Sequence, residues 1–149
     1  MNRLPLLLIF FLGFLPLTNA QKHLEGRWEG NLIENGKSYI LRLNIERVGN
    51  ELSAEIHCIT NDTTFTRTVS KGRLFTDDRS LYLIDFDFVY PDDPSSNPVH
   101  IKRKYQLVYE RDFNTITLNG YWQEKENINK SDRRLGQIRL KKMVEKKRA

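Results

Sequence analysis

Two arginines stand in alternating series that are otherwise largely apolar, and a tyrosine accompanies one of them. The two series are Phe65, Arg67, Val69 and Ile101, Arg103, Tyr105, Leu107. Because successive side chains of a strand point to opposite faces, we expect Arg67, Arg103 and Tyr105 to face an apolar interior. An Arg fork and a phenol hydroxyl in such a cavity would select an anionic head group. A buried guanidinium would otherwise need an aspartate or water, and the alternative is an Arg near an edge whose head group reaches solvent.

Asp85 and Asp87 form the pair of carboxylates whose spacing could serve acid–base hydrolysis. Both lie on one predicted strand, where they alternate with Tyr82, Ile84, Phe86 and Phe88. Alternation predicts that these four apolar side chains face inward and that the two carboxylates face solvent. A hydrolase that uses Asp85 and Asp87 is therefore the weakest hypothesis, and we predict that the protein is not an enzyme.

The remaining residues that could do chemistry do not form a recognisable motif. The sequence contains no nucleophile elbow, no phosphate-binding loop and no His-Glu-x-x-His. His23, His57 and His100 lie on three different predicted segments, so we expect no metal site, and nothing in the sequence implies a cofactor. Cys58 alternates with apolar residues, which predicts a buried core thiol. The alternative is a disulfide between two chains in an oxidising compartment.

Residues 1–20 have the order of charged, apolar and small residues that is typical of a secretory signal peptide. Arg3 is the only charge, an apolar run follows, and small residues precede a predicted cut before Gln21. The alternative is a membrane anchor, but a span needs about 20 apolar residues and this run is shorter and broken by Pro16. No Cys lies at the cut, so we expect a secreted or periplasmic protein that is neither a lipoprotein nor membrane-spanning.

The charge excess belongs to the C-terminal end of the chain. The sequence has 24 Lys+Arg and 19 Asp+Glu, but basic and acidic side chains are equal in number between residues 21 and 140. A nucleic-acid-binding protein spreads its basic residues over a binding face, so we expect no nucleic-acid partner. The basic tail, residues 144–149, is expected to be a solvated terminus. The alternative is weak electrostatic docking of this tail to an anionic envelope surface.

The elements that must position these residues are strands. Period-two alternation recurs from Leu24 onward, and turn residues such as Asn35-Gly36 separate eight alternating segments. A longer loop, Pro91–Pro98, is expected at the surface. An open meander of eight strands would expose two edges, and closure into a barrel removes them. The sequence therefore predicts one all-β domain over residues 21–143, an antiparallel eight-stranded up-and-down barrel, with a β-sandwich as the alternative.

The first predicted strand carries Gly26-Arg27-Trp28, which resembles the first-strand signature of lipocalins and of the wider group that includes avidins and fatty-acid-binding proteins. The resemblance implies a lipocalin-like barrel in which Trp28 closes one end. It also implies that a basic residue of the last strand, Arg139 or Lys141, packs over the indole ring. Arg103-x-Tyr105 similarly looks like the Arg-x-Tyr pair with which fatty-acid-binding proteins hold a carboxylate.

Two functions from different classes follow from these observations. In the first, the barrel binds a small apolar or amphipathic ligand, whose head group can be anionic. The predicted binding residues are Arg67, Arg103, Tyr105 and Trp28. In the second, side chains fill the barrel and the protein is a non-enzymatic interaction module of the envelope or the extracellular space. Eight-stranded barrels occur in both forms, since their interior is either nearly filled or holds one small ligand. The sequence does not indicate an oligomeric state.

Overall fold

The computed structural model describes residues 22–59, 65–89, 101–126 and 133–144. Their regular structure is all-β, and the eight strands are β1 Gly26–Glu34, β2 Lys37–Val48, β3 Glu51–Ile59, β4 Phe65–Phe75, β5 Ser80–Phe88, β6 Arg103–Asp112, β7 Thr115–Glu124 and β8 Leu135–Lys142. Each strand pairs antiparallel with the next, and β8 pairs with β1, so the sheet is a closed barrel. The predicted up-and-down barrel is confirmed, and the alternative sandwich is wrong.

Several predictions concern residues outside the described ranges. These are the signal peptide over residues 1–20, the loop Pro91–Pro98, His100 and most of the basic tail. They stay predictions. Within the ranges that the structure does describe, no helix is long and apolar enough to cross a bilayer.

The barrel has two different ends. At the Trp28 end, where β1 begins, short connections such as Gly49–Asn50 and Phe113–Asn114 join the strands. At the opposite end, the Arg103 end, β6 and β8 begin and the longer connections 60–64, 89–102 and 125–134 join the strands. The exception there is the Asn35–Gly36 turn, whose φ angles of 49° and 76° are those of the tight hairpin turn that the sequence predicts.

The barrel interior is a continuous apolar core. Among the residues whose burial is described, its fully buried apolar side chains come from seven strands, and they include Trp28, Leu32, Leu41, Ile45, Leu52, Ile56, Cys58, Leu81, Leu83, Tyr105, Leu107, Leu118, Trp122 and Ile138. On β1, β2, β3, β6, β7 and β8 the buried side chains are the alternating apolar residues, so the predicted alternation is confirmed there. Cys58 is buried as predicted.

The predicted inward faces of β4 and β5 are wrong. On β5, Leu81, Leu83 and Asp85 are buried, whereas the larger Tyr82 and Phe86 are exposed. On β4, the alternating residues Thr66, Thr68 and Ser70 face inward, and Arg67 belongs to the outer wall. β5 carries apolar residues on both faces, and β4 has little contrast between its faces. Alternation therefore could not decide the orientation of either strand, and the pairing with β3 and β6 decides it.

A β-bulge separates the two carboxylates of β5. Ser70 pairs with Asp85, but the preceding residue Val69 pairs with Asp87, so β5 has one extra residue at Phe86. Pairing of β5 with β6 extends from Ser80 only to Ile84. Asp85 therefore lies where β5 leaves the ladder with β6, which gives its side chain access to the polar groups at the Arg103 end.

Candidate functional site

Trp28 closes the end of the barrel at which β1 begins. Its side chain is buried, and its indole Nε1 donates a hydrogen bond of 2.9 Å to the carbonyl oxygen of Leu24. Lys142 Nζ lies 5.6 Å from the centre of the indole ring and donates to the carbonyl oxygen of His23 at 2.6 Å. Partial burial lowers the pKa of this amine. Because its one polar atom is already paired, Trp28 here is a closing residue.

The basic residue over Trp28 is neither of the two that the resemblance implied. Lys142 stands directly opposite Trp28 in the β1–β8 register, on the same side of the sheet as the buried Ile138 and Leu140. Arg139 and Lys141 have the opposite parity and are exposed. The implied contact therefore exists, but strand parity assigns it to the next residue along β8.

Arg103 and Tyr105 both face the interior at the other end, as the sequence predicts. Arg103 is 2% exposed and Tyr105 is 1% exposed. The Arg103 guanidinium carbon lies 5.1 Å from the centre of the Trp122 ring, which is a cation–π arrangement. The indole has space because its cross-strand partner is Gly136, where an added Cβ would lie 2.6 Å from Trp122 Nε1.

Asp85 is the fully buried carboxylate beside this pair, so the expectation that it faces solvent is wrong. Its Oδ1 accepts hydrogen bonds from Thr68 Oγ1 at 3.1 Å and from Ser70 Oγ at 2.5 Å. Its Oδ2 accepts from the Arg103 backbone N–H at 2.9 Å and from the Tyr105 hydroxyl at 3.2 Å. Four donors thus bond to the two carboxylate oxygens. Because β5 and β6 are no longer paired here, the Arg103 backbone N–H bonds to the Asp85 carboxylate in place of a backbone carbonyl of β5.

Burial controls the titration of this cluster. Burial raises the pKa of Asp85 above its ordinary value, although the hydrogen bonds from Ser70 and the Arg103 amide and the charge of Arg103 oppose the shift. The pKa of Tyr105 is also raised well above its ordinary value, first by burial and then by the nearby Asp85 charge. Tyr105 is therefore neutral at physiological pH, and its hydroxyl group donates its proton in the hydrogen bond to Asp85.

Two buried N–H groups at this end have no hydrogen-bond acceptor among the described residues. They are Arg103 Nε and Trp122 Nε1. Buried polar groups in native proteins are nearly always paired, because an unmade bond carries the full cost of desolvation. The two donors belong to side chains that stack on each other.

An ion pair between a buried carboxylate and a half-buried guanidinium lies at the same end of the barrel. Glu34, the last residue of β1, accepts two hydrogen bonds from Arg134, with Nε–Oε1 at 2.5 Å and NH2–Oε2 at 2.6 Å. The Glu34 side chain is 7% exposed and that of Arg134 is 41% exposed. This bidentate pair joins the end of β1 to the segment that leads into β8. It neutralises Glu34, so that among the described residues Arg103 and Asp85 are the other two buried charged side chains at this end.

Arg67 is not part of this cluster. It lies on the outer wall, where its Nε donates to the carboxylate of Glu55, which also bonds to His57 Nε2 at 3.0 Å. The hydrogen bond from Arg67 and then that from His57 lower the pKa of Glu55. The prediction that Arg67 faces the interior is therefore wrong, and the structure brings together only Arg103 and Tyr105 of the four predicted binding residues.

The structure does not support a hydrolytic carboxylate pair. Asp85 faces inward together with Leu81 and Leu83, whereas Asp87, which follows the bulge at Phe86, is exposed and accepts a hydrogen bond from the Phe88 backbone N–H at 2.8 Å. The two groups therefore do not face a common substrate position. In the described part of the chain, no three His, Cys, Asp or Glu side chains are grouped so that they could hold a metal ion.

Sequence reasoning missed Asp85, Thr68, Ser70 and Trp122 as members of the cluster. One signal could have found Asp85, because a buried Arg103 requires a counter-charge and Asp85 alternates with Leu81 and Leu83. Trp122 shares the apolar face of β7, but no local pattern shows that it stacks on Arg103.

The fold and the site together define the protein as a closed eight-stranded antiparallel barrel. A tryptophan closes one end, and buried polar side chains lie inside the other end. This architecture is consistent with the lipocalin-like barrel that the first strand implies. The chain matches no family model, no curated protein and no solved structure.

Proposed function

We propose that the protein is a non-enzymatic binder of a small amphipathic ligand, whose head group lies at Arg103 and Trp122. The observation that carries the proposal is the pair of buried donors, Arg103 Nε and Trp122 Nε1, without an acceptor among the described residues. Pockets for small molecules combine apolar walls with a few polar groups, and these two N–H groups would be the polar groups of such a site.

The chemistry of the site selects a head group that accepts hydrogen bonds. Arg and the indole nitrogen can only donate. Asp85 already accepts from four donors, so it is not free to bind a ligand donor. Because Asp85 offsets part of the Arg103 charge, the site should accept a carboxylate and also retain measurable affinity for a neutral ester or amide. Tyr105 acts as a positioning residue that fixes Asp85.

The ligand would enter from the Arg103 end. Trp28 and its hydrogen bond to Leu24 seal the other end, and buried leucine and isoleucine side chains occupy the described interior between the two ends. The apolar part of the ligand would therefore lie close to the mouth of the barrel. Export through a cleaved signal peptide is a further part of this proposal, because the charge and apolar pattern of residues 1–20 supports it.

A fluorescence titration with dansyl-undecanoic acid and its methyl ester tests the proposal. Arg103→Gln should weaken binding of the acid by about tenfold to a hundredfold, because a charge-assisted bond contributes about 1.5–3 kcal/mol. Trp122→Phe keeps the stacking surface, removes one N–H and should weaken binding by a smaller factor. The matched control is Arg67→Gln on the outer wall, which should bind as wild type does.

The outcomes distinguish a loss of the head-group site from a loss of the folded structure. If Trp122→Phe is folded by circular dichroism and binds both probes like wild type, the head-group site is refuted. Equal loss in Arg103→Gln and Arg67→Gln would also refute it. Native mass spectrometry of protein purified from its source provides an independent readout, since a co-purifying small molecule is expected.

A filled barrel that serves as an interaction module is the second candidate. The observation in its favour is the described core, whose side chains pack along the interior from Trp28 to Tyr105. In this case neither probe would bind, and native mass spectrometry would find the mass of the polypeptide alone.

A further inference from the structure

The outer wall of β4 to β8 presents three rows of side chains that run across the strands. The middle row is Arg73, Tyr82, Gln106, Tyr121 and Gln137, in which each residue is the direct cross-strand partner of the next. The row nearer the Arg103 end is Lys71, Ile84, Lys104, Gln123 and Leu135, again in direct register. The row nearer the Trp28 end is Phe75, Ser80, Val108, Asn119 and Arg139, of which Ser80 is buried. We call these fifteen positions the outer wall grid.

Aromatic and amide side chains alternate along the middle row. Tyr82 is 39% exposed and Tyr121 is 64% exposed, and exposed Gln106 lies between them. The two tyrosines are separated by two strand spacings, or about 9.6 Å. The Phe75 ring packs edge-to-face on the Tyr82 ring, with ring centroids 5.4 Å apart, and this contact orients the Tyr82 side chain. A groove of about 420 Å³ between the tyrosines is lined by Ile84, Lys104 and Gln106 among others.

The grid carries positive charge and no carboxylate. Its cations are Lys71, Arg73, Lys104 and Arg139. Three carboxylates lie at its border: Glu51 pairs with Arg73 at 3.4 Å, Glu110 accepts a hydrogen bond from Asn119 at 3.1 Å, and Asp78 lines a groove with Phe75 and Tyr82. A partner with negative charge is therefore complementary to this wall.

We propose that the outer wall grid binds an anionic oligosaccharide, in a site separate from the barrel interior. Tyr82 and Tyr121 would stack on alternate sugar rings, because their spacing is close to the disaccharide repeat of an extended glycan. Side-chain amides offer both donors and acceptors, which matches the hydroxyl groups of a sugar. Lys104 and Lys71 would pair with the carboxylates or sulfates of the same chain.

The composition of the grid disfavours two other occupants. An anionic lipid surface would bury the amides of Gln106, Gln123 and Gln137 against apolar chains without hydrogen-bond partners, which is costly. A second copy in a two-fold arrangement would place this positively charged wall against itself. Neither objection applies to a hydrated, negatively charged glycan.

Isothermal titration calorimetry with a galacturonate hexasaccharide tests the proposal, and the neutral galactose hexasaccharide is the paired probe. The acidic probe should bind the full protein with an affinity that falls with salt, and the neutral probe should bind at least severalfold more weakly. Tyr121→Ala should weaken binding of the acidic probe by about tenfold or more, as expected for a central aromatic contact. Lys104→Gln should reduce the salt dependence, and the double variant with Lys71→Gln should remove most of it.

Phe113→Ala is the matched control, because Phe113 is 98% exposed in the turn between β6 and β7 and lies outside the grid. This variant should bind the acidic probe like wild type. The proposal is overturned if Tyr121→Ala and Phe113→Ala have equal affinity, or if neither saccharide binds at millimolar concentration. Binding to phosphatidylglycerol vesicles or to polyglutamate that Tyr121→Ala removes, without saccharide binding, would also overturn it.

Discussion

Replacement of Asp85 by alanine should destabilise the barrel far more than the same change at Asp87. Asp85 is fully buried, and its carboxylate accepts four hydrogen bonds. Asp85→Ala leaves these four donors without their acceptor and leaves the buried Arg103 without its neighbouring charge. Removal of one partner from a buried charged pair costs about 3–5 kcal/mol, and each orphaned donor costs about 1–3 kcal/mol if it finds no new partner.

The expected loss is about 3–5 kcal/mol rather than the sum of these costs, because the hydroxyls of Thr68 and Ser70 can rotate and the desolvation of the carboxylate is relieved. Such a loss is a large part of the stability of a domain, which is typically about 5–15 kcal/mol. Asp87 is exposed and accepts only from its neighbour Phe88, so Asp87→Ala should change stability by less than about 0.5 kcal/mol.

Urea unfolding followed by tryptophan fluorescence and by far-UV circular dichroism measures the difference. Both probes should give one transition, and Asp85→Ala should have a lower midpoint with an unchanged slope. If Asp85→Ala does not fold, Thr68→Val removes one donor and should cost about 1 kcal/mol. Equal midpoints for Asp85→Ala and Asp87→Ala would refute the buried orientation of Asp85, and with it the register of β5.

Three other measurements test the Arg103 end. Since burial raises the pKa of Asp85, the native state keeps a proton that the unfolded chain releases, so stability should fall as pH rises just above the ordinary Asp range. Urea midpoints measured from about pH 4 to pH 7 should show this fall in the wild type and lack it in Asp85→Asn. Arg134→Ala leaves Glu34 buried and unpaired and should cost about 1–2 kcal/mol by urea unfolding, whereas Arg73→Ala in an exposed pair should cost less than about 0.5 kcal/mol. Burial raises the pKa of the Cys58 thiol, so Ellman's reagent should react with it only after urea is added, and fast reaction of the native protein would contradict its burial.

Most of the barrel could be predicted because six strands contrast an apolar face with a polar one. On β3, Leu52, Ala54 and Ile56 alternate with polar residues, so their burial follows from periodicity alone. The same contrast on β6 placed Arg103 and Tyr105 correctly. The Asn35–Gly36 turn was predictable because its backbone needs positive φ at both residues, which this pair tolerates best.

The orientation of β4 and β5 could not be predicted, because the two faces of each of these strands do not differ clearly in polarity. β5 offers Leu81 and Leu83 on one face and Tyr82 and Phe86 on the other, so both faces satisfy an apolar pattern. The bulge at Phe86 then shifts Asp87 relative to Asp85, and a bulge has no signature in alternation. The positions of Arg67 and Asp85 depended on this choice, and both predictions failed with it.

The sequence by itself determined the number of strands, the places of most turns and the inward position of Arg103, because these depend on residues close together in the chain. Only the tertiary structure decided that Asp85 meets Arg103 and Tyr105, that Lys142 packs on Trp28, and that aromatic side chains line the outer wall. Each of these contacts depends on the register between strands, and closure of the barrel must satisfy all eight pairings at once. That constraint couples residues far apart in sequence, and no local pattern contains it.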